Sequence, residues 1–217
     1  MTGITALRTT SRADIRTSVE IPLRFDDGFE ASARVMTFRN LVDGGEHLLL
    51  SFPGDEAHTT QTRPQLVRLH SECLTGDVFG SQRCDCGPQL REAVERLSVE
   101  GGALLYLRQE GRGIGLYAKL DAYALQDQGL DTYEANAALG HGEDERDYTA
   151  AAQMLDAVGI HRVRLLTNNP DKVSRLGALG IAVDEVVPTG VHLTEANARY
   201  LRAKRDRTGH LIDLPAA

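Results

Sequence analysis

Apolar positions along this chain follow two rhythms, one of alternation and one of helical spacing. After a polar arm reaching about Ser18, two apolar runs, Val19 to Phe25 and Phe29 to Phe38, are split by Asp26-Asp27-Gly28. Asp-Gly between such runs is a hairpin signal. Further strand candidates are His47 to Phe52, Gln65 to Leu69, Ala103 to Leu107, Arg162 to Leu166 and Ile181 to Val187. Helical spacing lies between them. Leu90, Ala93, Val94 and Leu97 stand at i, i+3, i+4 and i+7 before a stop at Gly101-Gly102. Comparable segments run from about Leu116 to Gln128, Tyr148 to Val158 and Thr194 to Arg207. This order predicts an α/β fold, a mixed sheet with flanking helices and an antiparallel β N-terminal portion. It divides the chain into a flexible arm (1–18), a single domain (19–210) and a short tail (211–217), with no internal repeat.

Composition narrows the function. A chain of 217 residues, 41% hydrophobic, can bury a core as one domain. Its 24 basic and 31 acidic residues give a net charge of −7, which argues against broad binding to nucleic-acid backbones. Any anionic ligand must therefore meet a local cationic cluster. Met1 to Arg16 lacks the apolar run of a signal peptide, and no segment approaches the length of a membrane span. A cytoplasmic protein without membrane or nucleic-acid partners is expected.

Three stretches carry chemistry. All 3 cysteines fall in C-x10-C-x-C, at Cys73, Cys84 and Cys86. Three thiols without a fourth suit an open zinc site, in which water takes the remaining position and is activated near neutral pH. The alternatives are small buried hydrophobes and a disulfide; the polar surroundings speak against the first and the odd count against the second. The second stretch, Arg108 to Gly115, places glycines between a strand and a helix, where backbone N–H groups approach an anion and Arg112 can clamp it. Glu110 offers a carboxylate that could accept two N–H bonds from a guanine edge. The third comprises the charge run Glu143 to Asp147 and Thr167-Asn168-Asn169-Pro170-Asp171-Lys172, which read singly as a solvated helix start and a turn.

Together these stretches resemble GTP cyclohydrolase II. The resemblance spans roughly residues 19 to 210 and is carried by HSECLTGDVFGSQRCDCGPQL (70–90), RQEGRGIGL (108–116), AYALQDQGLDT (122–132), DERDY (144–148) and LLTNNP (165–170). It implies that Cys73, Cys84 and Cys86 ligate zinc. Arg68, Leu69, His70, Ser71, Glu72, Gln89, Glu110, Gly111, Arg112, Thr132, Thr167 and Lys172 would bind GTP, with Asp144 as proton acceptor, Arg146 as nucleophile and Tyr123 as an active-site tyrosine. The implied reaction opens the imidazole ring of GTP at C8 and releases formate and diphosphate. Magnesium would accompany the triphosphate, and a homodimer is implied.

A guanidinium stays protonated to a pKa above about 12, so stabilising transition-state charge suits Arg146 better than covalent attack. The chain departs from the family pattern at Tyr117-Ala118, Tyr133 and His141. Those changes bear on whether the product is fully deformylated. His70-x-Glu72 also prompts a zinc nucleobase deaminase, but Cys-x-Cys is the wrong spacing for one. A non-catalytic GTP-binding regulator is the alternative of another class, opposed by Tyr123, Asp144 and Arg146.

Overall fold

The computed structural model describes residues 12–55, 63–142 and 144–214. Residues 1–11 of the expected arm, Glu143 of the charge run and residues 215–217 of the expected tail lie outside the described residues. The strands are β1 (Asp14–Arg24), β2 (Glu30–Arg39), β3 (Leu48–Phe52), β4 (Gln65–Ser71), β5 (Gly102–Leu107), β6 (Arg162–Leu166) and β7 (Ala182–Val187). The helices are α1 (Leu74–Asp77), α2 (Cys86–Glu100), α3 (Leu116–Asp127), α4 (Thr132–Ala138), α5 (Thr149–Ala157), α6 (Pro170–Ala178) and α7 (Ala198–Thr208), with a 3-10 turn at Glu110–Gly113.

One sheet takes all the strands in the order β1-β2-β3-β5-β4-β6-β7. The first three and β5 pair antiparallel, whereas β5, β4, β6 and β7 run parallel. The Asp26-Asp27-Gly28 hairpin forms as expected, with Gly28 at φ 85° and the Asp27 carboxylate accepting from the Phe29 N–H at 3.0 Å. β1 starts earlier than the apolar run, at Asp14, so residues 14–18 of the expected arm are strand.

Alternation along β4 and β5 fills both faces. Val67, Leu69, Ala103, Leu105 and Leu107 join Met154, Leu155 and Leu176 of α5 and α6 in one core. Leu66 and Leu104 face the other way, onto Ala93, Val94 and Leu97 of α2. The period of two then carries Arg68 and His70 onto the α2 side, beyond the end of that second core. Gly102, at φ 143°, is required where the chain turns into β5, because a Cβ there would lie 2.0 Å from the Leu66 carbonyl oxygen.

Successive connections leave β4 toward β5 on one side and reach β6 on the other. Between such strands the carboxyl ends open a crevice, the usual ligand position in an open α/β sheet. The connection after β4 carries the cysteines, with Cys73 before α1, Cys84 after it and Cys86 opening α2; the loops after β5 and β6 carry the 3-10 turn and Asn168-Asn169.

Candidate active site

The crevice is a cleft of about 1120 Å³ including its open mouth. One side holds the thiols. The sulfur atoms of Cys73, Cys84 and Cys86 all lie within 4.8 Å of one another, with Cys73 and Cys84 3.6 Å apart. Gly76 makes room for them, since a Cβ there would stand 2.8 Å from the Cys84 sulfur. Lys119 of α3 reaches the trio, its Nζ 3.2 Å from the Cys73 sulfur and 2.8 Å from Glu110 Oε1. Hydrogen bonds from Cys84 and Cys86, with Lys119 nearby, hold the Cys73 pKa well below the usual thiol range. Its thiolate in turn pushes Cys84 up to about 11.

Glu110 is already engaged within the protein. Its oxygens accept from the backbone N–H of Leu74 at 2.7 Å and of Gly111 at 2.9 Å, as well as from Lys119. The carboxylate expected to read a guanine edge thus ties the turn after β5 to the cysteine loop. Gly111 and Arg112 both adopt left-handed backbone, at φ 63°, and a non-glycine residue in that region is a strained conformation that clusters at functional sites. It turns the Arg112 guanidinium over the Tyr133 ring, 4.8 Å from its centroid.

The other side is cationic. Arg68 donates to the Leu166 carbonyl at 3.0 Å and to Gln89 Oε1 at 2.7 Å. Lys172 donates to the Leu69 carbonyl at 2.8 Å, and burial, with Arg68, Arg146 and Lys204 near, pushes its pKa well down. Arg146 is held by Asp144 through Nε at 2.8 Å and through a second, very short contact. Although burial opposes it, Arg146 holds Asp144 below the usual carboxylate range. The guanidinium is itself stabilised as a cation by Asp144 against its own burial. Among the described residues, Arg68 Nε, Arg112 Nη1 and His70 Nδ1 are buried without a hydrogen-bond partner. Buried polar groups are nearly always paired, and these three atoms, with Thr189 Oγ1 of the same lining, mark where ligand atoms belong.

His70 is oriented by Asp77, whose oxygens lie 3.0 and 3.1 Å from its Nε2. Asp77 also accepts from the Tyr106 hydroxyl and the Cys73 N–H. Burial lowers the His70 pKa in spite of Asp77, so the ring is neutral and Nδ1 is an acceptor.

Most residues singled out in the sequence line this cleft: Arg68, His70, Ser71, Glu72, the three cysteines, Gln89, Glu110, Gly111, Arg112, Tyr123, Thr132, Arg146, Thr167 and Lys172. Two do not. The Leu69 side chain packs into the core on the opposite face, leaving its carbonyl to hold Lys172. Asp144 stands behind Arg146 and positions it. Of the departures from the family pattern, Tyr117 is 83% exposed and His141 pairs loosely with Glu145 at 3.6 Å; only Tyr133 bears on the site. Sequence reasoning misses Lys119, Tyr200, Lys204 and His210, all of which line the cleft. A lysine within an α3 face of mixed character gave no signal. The basic run of α7 reads as a solvated face until its docking is known.

Thiols facing a cationic cleft at the carboxyl ends of parallel strands define an α/β enzyme. The GTP cyclohydrolase II family model matches residues 16–188. A GTP cyclohydrolase-2 of Vibrio parahaemolyticus is 51% identical over 198 residues, 91% of this chain and 98% of that protein. One of Vibrio cholerae is 50% identical over 202 residues, 93% and 100% respectively. A riboflavin biosynthesis protein RibBA of Bacillus velezensis is 50% identical over 199 residues, 91% of this chain and 48% of that protein. The chain belongs to the GTP cyclohydrolase II family.

Proposed function

We propose that the chain hydrolyses GTP in the first step of riboflavin biosynthesis. The imidazole ring opens at C8, formate and diphosphate leave, and 2,5-diamino-6-(5-phosphoribosylamino)pyrimidin-4(3H)-one remains. The observation that carries this reading is the convergence, in one cleft, of the thiol trio with unpaired buried nitrogens of Arg68 and Arg112. The names of the relatives point the same way.

Cys73, Cys84 and Cys86 suit one Zn2+ per chain. Their sulfurs are close enough to share an ion, Gly76 leaves the space, and Lys119 stabilises a thiolate. Bound there, zinc would supply a Lewis acid and make water nucleophilic near neutral pH. The protein's own groups account for the rest. Burial pushes the Tyr123 phenol up to about 12, so it remains an O–H donor at neutral pH, facing the thiols. Arg68, Arg112 and Arg146 supply charge for the triphosphate, whose arrival would favour the protonated form of Lys172 as well, with Mg2+ as the counter-ion of the triphosphate. Arg146, kept cationic by Asp144, is suited to stabilising charge on the departing diphosphate rather than to covalent attack.

Mass analysis of GTP incubated with zinc-loaded protein and magnesium tests the proposal. The deformylated pyrimidine and diphosphate are expected in equal amounts. Intact GTP, or ammonia in place of formate, would refute it.

A further inference from the structure

We propose that residues 190–212 form a built wall of the substrate cleft and that Lys204, on α7, is a phosphate-binding residue. The proposal deepens the reading of the cleft as a nucleoside triphosphate site and rests on it. This stretch begins beyond residue 188, where the family match ends.

The wall is fastened to the loops that build the site. Both Glu92 oxygens accept from the Gly190 N–H at 2.9 Å, and one lies 2.9 Å from His192 Nε2. Arg199 donates to the carbonyls of Gly129 and Leu130, at 2.6 and 3.0 Å, and Arg207 pairs with Asp131, the N-cap of α4. The Leu211 N–H donates to the Asn168 carbonyl at 2.9 Å. These contacts lay α7 along the cleft and bring Tyr200, Lys204, His210 and Ile212 into its lining.

Lys204 is the charged member of that wall. Its Nζ lies 2.8 Å from Asp85 Oδ1, the two side chains only 12% and 1% exposed, and 4.4 Å from the centroid of the Tyr200 ring. A wall that needed only to pack would do as well with an apolar residue, because burying an ion pair carries a desolvation cost its attraction barely offsets. Lys204 neutralises the buried Asp85 and still lines the cleft, where a phosphate oxygen could take a further N–H of the ammonium.

The charges of the cleft support this. Lys119 is matched by Glu110, Arg146 by Asp144, Lys204 by Asp85 and Glu72 by Arg108. The hydrogen bonds of Arg68 and Lys172 go to neutral oxygens, and Arg112 keeps a buried nitrogen unpaired. Positive charge is in surplus, and a polyphosphate brings the missing negative charge. The cations already sense one another across the cleft. Burial followed by Lys204, Arg112, Arg146 and Lys172 pushes His210 down to about 3.

The test is equilibrium binding of inorganic tripolyphosphate, GTP and guanosine to the full-length protein, its Lys204→Met and Lys204→Arg variants, and Lys204→Gln should the Met variant not fold. Loss of a charge-assisted contact should weaken tripolyphosphate and GTP about tenfold or more in Lys204→Met. Guanosine affinity should stay unchanged in each folded variant, Lys204→Met should melt lower because it strands the buried Asp85, and Lys204→Arg, which keeps both charges, should recover most of the loss in phosphate affinity. Unchanged tripolyphosphate affinity, or equal losses for guanosine and tripolyphosphate, would overturn the proposal. Tripolyphosphate binding that depends on Lys204, in a protein that does not turn over GTP, would uphold Lys204 and overturn the reaction assigned above.

Discussion

Glu110 and Lys119 form a buried pair whose carboxylate also accepts two backbone N–H bonds, so the first effect of changing either is on the cysteine loop. Glu110→Gln keeps an acceptor but loses the charge opposite Lys119. It should cost about 1–3 kcal/mol of stability and lower zinc retention, read by denaturant unfolding and metal analysis. Full stability and zinc with altered GTP-over-ATP preference alone would return Glu110 to base recognition. Each of Cys73→Ser, Cys84→Ser and Cys86→Ser should lose zinc and ring opening together; full metal in all three, by elemental analysis, would remove the trio from the metal site. His210 gives a pH signature. Its folded pKa, about 3, lies below the ordinary value of 6.5, so the unfolded chain binds the extra proton. The contribution is intact above pH 6.5 and is lost as pH falls toward 3. By pH 5.5 the loss is at most about 1.4 kcal/mol. Thermal melts of His210→Gln should decline less between pH 7.5 and 5.5 than those of the unaltered protein; equal declines would place the histidine in solvent.

Gly76 belongs to α1, an element too short to leave a periodic trace. A Cβ on Gly76 would meet the Cys84 sulfur at 2.8 Å and the Cys73 sulfur at 3.1 Å, so Gly76→Ala should spread the thiols and abolish zinc binding while far-UV circular dichroism stays unchanged. Retained zinc would show that the loop can give way. The same contrast governs what was legible in the sequence. α2 was readable because Leu90, Ala93, Val94 and Leu97 pack as their spacing demands. Asn169-Pro170 has the letters of a turn, which hides the start of α6. The Asn169 side chain instead caps the helix through the Asp171 N–H, with Pro170 opening its first turn. α4 went unseen as a helix, although its capping box is spelled by Asp131 and Glu134. The motif residues were legible as a set, but partners such as Lys119 and Lys204 were not. Their roles come from packing between distant segments, which local pattern does not encode.

Across the whole molecule the sheet separates two tasks. Its parallel half carries the chemistry, while β1 lies at the other edge with Ile15, Val19 and Ile21 40%, 47% and 38% exposed. These three apolar side chains, exposed on a strand otherwise rich in charged and polar residues, offer a second copy of the chain a contact row, and a homodimer is proposed on this and on the family likeness. Val19→Lys with Ile21→Lys should shift sedimentation toward the monomer; an unchanged dimer would place the interface elsewhere.

The contacts that assemble the cleft join residues far apart in the chain: Lys204 to Asp85 across 119 positions, Lys172 to Leu69 across 103 and Arg68 to Leu166 across 98. Closing loops of that length carries an entropic cost that precedes any reward from the contact, which makes such topologies slow to form. These separations predict that the cleft closes late as the chain folds, a hypothesis that pulsed hydrogen exchange of the Lys204 and Lys172 segments would check. Once it has formed, the entropy of gathering its cations has already been lost, and a polyphosphate arriving later meets charges that need not be brought together again.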